Sequence, residues 1–343
     1  MKMHVSLGLC AAAALSLVLS AGTATSQAEF GSPELIAAAK AEGRLVLYTA
    51  NFAEVEQDVI KAFNKRFPEI KVEMVRAPGG QLITRIKTEV AAGKLSADFI
   101  EHSDRGLMKE LDNLFIDYTP PNAADYPEES RVSAKFWPST TLGWSIAYNP
   151  MLVKNPPKTW MDLLKPEYSG MIGQVVAPSG GTTWTRSMFE RQVLGEDYHA
   201  KQAALKVALY PSGAPLSDAL VRGEVAIAPL LYNIIFIKIR DGAPGEAVFG
   251  PEGVPIIPYA GGITASSTRQ NAAKLFLNWR LSKEGQTFMI KEQGNITSLR
   301  EPPLFPKGWD PKVIKVWVPK FDQFEKLREP WLDEWNKTYG YRQ

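Results

Sequence analysis

The chain has 343 residues, 45% of them hydrophobic, and a formal net charge of +2. That length and apolar content suffice for a two-domain core, and the near-neutral charge excludes a basic stripe for nucleic acid. Nine Trp, eleven Tyr and fifteen Phe exclude a disordered chain. At the start, Lys2 precedes an apolar run from Val5 to Leu19, and small residues follow from Ser20 to Ala28. These are the parts of an export signal, residues 1–28, with cleavage expected after Ala28 and Ala24 as the alternative. The apolar run is shorter than the ~20 residues that span a bilayer. The only cysteine, Cys10, lies inside it. The processed chain is thus expected to lack disulfides, thiolate metal sites and a cysteine nucleophile. Thr23 stands where a lipid-bearing cysteine would follow Ala21 and Gly22, so no lipid anchor is expected.

Arg44–Thr49 reads as a buried strand. A helix follows from about Glu54 to Phe67, with Val55, Val59, Phe63 and Phe67 on one face, and Pro68 stops it. Lys71–Arg76 suits a strand, Gln81–Ala92 a helix with Gly93 behind it, and Ala97–Ile100 a short strand. This β-α-β-α-β order predicts a parallel sheet, whose ligands sit beyond the carboxyl ends of the strands. The loops at Ala50–Phe52, Arg76–Gly80 and Glu101–Asp104 leave those ends. Further on, strands are expected at Leu142–Tyr148, Met171–Val176 and Val225–Ala228. Helices are expected to start near Trp160 and to run from Trp184 to Leu194, Leu216 to Val221 and Tyr232 to Arg240, then over Ala272–Met289 and Lys320–Lys337. The fold class is α/β.

Four stretches resemble bacterial solute-binding proteins of ABC importers, in the same order. Pro157-Lys158-Thr159-Trp160-Met161-Asp162-Leu163 resembles their P-x-T-W-x-D-L segment. Gly223-Glu224-Val225 resembles their helix-to-strand turn. Phe276, Trp279, Ser282 and Glu284-Gly285-Gln286 resemble their F-x-x-W-x-x-S-x-E-G-Q helix, and Leu45–Asn51 resembles their first strand. Within that family the chain looks like the ferric-ion-binding branch, whose relatives are described as carrying iron, thiamine, phosphonates or sugar phosphates. The resemblance implies the type II periplasmic-binding-protein fold: two α/β lobes, a two-strand hinge and closure on ligand. It places lobe one at 29–145, lobe two at 146–258, and the return to lobe one with a helical tail at 259–343. Iron binders of this branch carry an adjacent Tyr pair where this chain has Leu231-Tyr232-Asn233-Ile234. A hard trivalent cation needs several anionic oxygens, so the missing phenolate argues against iron.

The candidate ligand residues follow from the strand-end loops and from this resemblance. Ser179, Gly180, Gly181, Thr182 and Thr183 precede a helix, where glycines allow close approach and free N–H groups favour an anion; the same pattern also serves as an ordinary helix cap. Arg76 is the preferred guanidinium, with Arg85 and Arg186 as alternatives. Asn51, Phe52, Glu101 and His102 sit at strand ends, while Ser103 and Asp104 also suit a helix cap. Tyr232, Asn233 and Tyr259 are cleft candidates, and Trp144, Trp184 and Tyr210 are possible walls. No catalytic residue, metal or cofactor is expected. G-x-S-x-G and H-E-x-x-H are absent, and only His102 and His199 follow the signal. The expected function is periplasmic capture of a small organic anion for an inner-membrane ABC permease by a monomer that binds no nucleic acid. The alternatives are ferric-ion transport, ligand presentation to a membrane kinase, and a secreted hydrolase.

Overall fold

The structure, a computed structural model, describes residues 29–342, and the expected export signal lies outside them. Helix α1 (Pro33–Glu42) opens the described chain, capped by the Ser32 hydroxyl and ended by Gly43 at φ 64°. It is followed by β1 (Arg44–Thr49), α2 (Ala53–Arg66), β2 (Lys71–Arg76), α3 (Gly79–Ala91), β3 (Phe99–His102), α4 (Arg105–Glu110) and β4 (Trp137–Tyr148). The middle holds β5 (Gly173–Val175), α5 (Gly181–Leu194), α6 (Tyr198–Ala203), β6 (Ala208–Tyr210), α7 (Gly213–Arg222), β7 (Ile227–Leu231), α8 (Tyr232–Arg240) and β8 (Glu246–Val248). The chain closes with β9 (Val254–Ile263), α9 (Gln270–Leu281), α10 (Lys283–Gln293), β10 (Val316–Trp317), α11 (Phe321–Lys326) and α12 (Arg328–Tyr339).

The expected parallel start is present: β1 pairs in parallel with β2 and with β3. Beyond β3 the sheet turns antiparallel. Phe99 to His102 lie opposite Ile263 to Ala260 of β9, and β9 runs against the first half of β4. The second half of β4 leaves β9 and pairs with β7 and β8. The main path is β2-β1-β3-β9-β4-β7, with β5 and β6 forming a separate pair. Strands β4 and β9 therefore belong to both halves of the molecule. The register of β4 against β9 shifts between Pro138 and Thr141, a local break that bends a strand.

Each half has its own apolar core. In the first, Val55, Val59 and Phe63 line the inner face of α2. Phe63 meets Phe276 and Trp279 of α9 edge-on at 5.0 and 5.7 Å, and burial of each such side chain stabilises by roughly 1.5–3 kcal/mol. In the second, Trp160, Phe189 and Trp317 form a similar stack.

Three expected helices are split or shortened. The helix over 272–289 is two helices, because Ser282 takes an extended backbone and its hydroxyl caps α10 at Gly285 N, 3.1 Å away. The tail helix is likewise split, at Leu327. The helix start near Trp160 amounts to one 3-10 turn, Met161–Leu164.

Candidate functional site

Parallel pairing brings the ends of β1, β2 and β3 to one edge, and their loops form one wall of a cavity of about 580 Å³. The facing wall is the loop from Pro178 into α5, with Ser212 and Gly213 before α7, and Leu231 and Ile234 at the β7–α8 junction. Trp144 of β4 and Tyr259 of β9 complete it. The two halves touch around this space. A Cβ on Gly181 would lie 2.9 Å from the Ser103 carbonyl and 3.1 Å from the Asp104 backbone, and Phe52 packs against the apolar cluster of the second half. The described arrangement is closed.

Nine of the thirteen preferred candidates line the cavity, namely Phe52, Arg76, His102, Ser179, Gly180, Gly181, Thr182, Thr183 and Tyr259, and the alternates Ser103, Asp104 and Trp144 line it too. Their chemistry is unequal. Arg76 donates its Nε to the Asn51 carbonyl at 3.0 Å, which aims the guanidinium, and its terminal nitrogens have no partner among the described residues. His102 is buried and held neutral by burial. Its Nδ1 accepts the Asp104 N–H at 2.9 Å, so Nε2 carries the hydrogen and donates to the Gly79 carbonyl at 3.0 Å. The ring is a fixed wall with its polar atoms satisfied. Ser179 donates to Pro211 O at 2.8 Å, and Thr183 donates to Ala177 O at 2.8 Å while accepting from Gly180 N at 3.1 Å. Those two hydroxyls hold the loop. The Thr182 hydroxyl is left without a protein partner among the described residues. The first-turn N–H groups of α5 beside it have no acceptor within the helix. Trp144 fixes this turn by donating Nε1 to the Thr182 carbonyl at 3.1 Å.

Four predicted residues lie off the cavity lining. Asn51 is buried and donates its amide to Glu56 at 2.8 Å, serving the site through its backbone carbonyl. Glu101 is fully buried, off the lining, in an ion cluster. Arg280 binds Glu56 at 2.8 and 3.1 Å and approaches Glu101 at 3.3 Å, while Thr49 and Ser139 donate to Glu101 at 2.8 and 2.7 Å. One guanidinium cannot neutralise two buried carboxylates. Burial pushes the Glu101 carboxyl up to about 7 against the pull of Arg280, with the Glu56 charge adding to the rise. Tyr232 packs on Phe249 at 4.9 Å and its phenol is pushed up to about 12 by burial. Asn233 is buried with neither amide atom partnered, next to the cavity-lining Ile234.

The alternative arginines also lie elsewhere. Arg85 pairs with Glu89, and Arg186 is fully buried 4.9 Å beneath the Trp144 ring. Trp184 donates to Phe324 O, and Tyr210 packs half-buried against the core of the second half. Asp104 does cap α4, through Leu107 N at 3.2 Å, and it also lines the cavity. The sequence reading missed Ser212 and Arg328. Arg328 comes from α12 and pairs with Asp104 across the cavity rim, a placement that only tertiary folding of the tail produces.

Residues 48–287 match the family model described as bacterial extracellular solute-binding protein. An Fe(3+)-binding periplasmic protein of Serratia marcescens is 24% identical over 305 residues, covering 84% of this chain and 85% of its own. A putative 2-aminoethylphosphonate-binding periplasmic protein of Salmonella typhimurium is 24% identical over 233 residues, 64% of this chain and 66% of its own. In three dimensions the chain resembles the periplasmic binding protein AfuA from Actinobacillus pleuropneumoniae, solved with exogenous fructose-6-phosphate bound. The TM-score is 0.70 at 21% identity, over 88% of this chain and 99% of that one. With a matched segment that runs from β1 into α10 and a two-lobed α/β fold around a central cavity, the chain belongs to the bacterial extracellular solute-binding proteins.

Proposed function

We propose that the chain is the exported substrate-binding component of an ABC importer and that it captures a small organic anion, a phosphonate, phosphate ester or carboxylate. The observation that carries this reading is the pairing of two anion-recognising groups from opposite walls of one cavity. Arg76 offers unpaired guanidinium N–H groups, and the first turn of α5 offers free amides, a helix dipole and the Thr182 hydroxyl. A ligand bridging both walls stabilises the closed form by its preference for that form. The relatives named for a phosphonate and solved with a sugar phosphate share this ligand chemistry. Ferric ion fits less well, because Tyr232 is an apolar-packed phenol whose ionisation burial opposes. The lobes hinge, in this reading, at the β4 register break and the facing part of β9.

A thermal-shift screen of residues 29–343 tests the assignment, with phosphonates, sugar phosphates, carboxylates, sugars, thiamine and ferric citrate. At 100 times its dissociation constant a ligand adds about 2.7 kcal/mol of stability. Stabilisation by one organic-anion class supports the reading, and stabilisation by ferric citrate alone overturns it.

A further inference from the structure

The C-terminal helices are fastened to the second half of the molecule. Trp184 donates Nε1 to the Phe324 carbonyl at 2.8 Å, Arg191 pairs with Glu334 at 2.5 Å, and Tyr339 donates its hydroxyl to Gln202 at 2.7 Å. Trp335, only 1% exposed, stacks on Tyr339 at 4.3 Å between ring centroids. From that anchorage the α11–α12 junction reaches the first half. Arg328 forms an ion pair with Asp104 in the β3–α4 turn. Glu325 lies against Gly106 so closely that a Cβ there would collide with its carboxylate.

We propose that the C-terminal tail is a latch between the lobes and that Arg328 is a positioning residue of the binding site, setting how much of the protein is closed. The pair's two ends are attached to different lobes. Arg328 rides on a helix anchored to one lobe and Asp104 on a turn of the other, so the pair exists only when the lobes meet. The Asp104 side chain is 2% exposed, and Arg328 is the cation paired with it among the described residues. Without its cation, that nearly buried carboxylate is unfavourable in the closed form and is rehydrated in the open one. The latch thus stabilises the closed form selectively, and any ligand that needs closure gains affinity by the same factor.

This inference rests on the lobe closure assumed above and is independent of the ligand, so it is tested without one. The chain from residue 29 has no cysteine, so Lys94→Cys and Lys201→Cys accept spin labels cleanly, one on each lobe. Pulsed electron–electron resonance then reads the inter-lobe distance in the ligand-free protein. Arg328→Ala is expected to raise the open-to-closed ratio about tenfold. Adding Asp104→Asn, which retains a helix-capping side chain, to Arg328→Ala removes the unpaired buried carboxylate and returns part of the closed population. Arg328→Lys restores most of the closed population, which a merely packed side chain would not do. A distance distribution unchanged in Arg328→Ala, or a shift in Arg328→Ala that adding Asp104→Asn does not reduce, overturns the latch.

Discussion

Few side chains at the site are free to bind, and the others hold the free ones in place. Thr182 and Thr183 are neighbours with opposite expected roles. Thr183→Ala breaks the loop's own hydrogen bonds and is expected to cost about 1 kcal/mol of stability in denaturant unfolding. Thr182→Ala leaves stability unchanged and weakens ligand binding. Calorimetry of both variants separates the two roles, and equal effects on stability would contradict them. At Glu101 the prediction concerns pH. Its carboxyl is held up to about 7, above the ordinary value of 4.5, so the folded protein keeps a proton that the unfolded chain releases from pH 4.5 upward. This group's contribution to stability therefore falls as pH rises from 4.5 through 7 and is level above that. Glu101→Gln removes that part of the slope, measurable by urea unfolding at pH 5 and pH 8, and an identical slope in the variant contradicts the cluster's proton. At this scale the sequence was partly legible. Arg76 and the glycine loop stand out through residue type and strand-end position, whereas the hydrogen bonds that occupy His102, Ser179 and Thr183 form only once the loops fold against their neighbours.

Among the elements, α5 carries most of the proposed anion-binding chemistry. Its N-terminus abuts the β3–α4 turn at Gly181, where a side chain has no room in the closed form. Gly181→Val is expected to prop the lobes apart and lower affinity at least tenfold, with thermal stability of the unliganded protein little changed; calorimetric titration beside a melting curve checks this, and unchanged affinity means that closure does not bring these segments together. Elements with a strong period were readable in advance: α2 repeats its apolar residues every four positions, and β1, β2 and β3 follow the alternation of strands with helices. Missed features depend on local hydrogen bonds or distant partners. The break at Ser282 between α9 and α10 is a cap inside an otherwise continuous helical pattern, and β4 extends back to Trp137 because β9 is there to pair with it.

Across the whole molecule, the two lobes share β4 and β9 and meet again at the tail, three connections between them. A resemblance carried by four short motifs pointed to this architecture, since each motif sits at a strand, turn or helix that the fold needs. The course of the tail had no such signal, because the packing of Trp331 and Trp335 depends on surfaces hundreds of ångströms of extended chain away. Small-angle scattering should show the ligand-free protein contracting when its ligand is added. The central claim, that an organic anion is held between Arg76 and the first turn of α5, is tested most directly by calorimetric titration of residues 29–343 and of Arg76→Ala. The titrants are 2-aminoethylphosphonate, a hexose phosphate, a small carboxylate and ferric citrate. The account predicts one-to-one binding of an organic anion that Arg76→Ala weakens at least tenfold, as loss of a charged hydrogen bond of about 1.5–3 kcal/mol requires, at unchanged melting temperature. Binding of ferric citrate alone, or anion binding indifferent to Arg76, would contradict it.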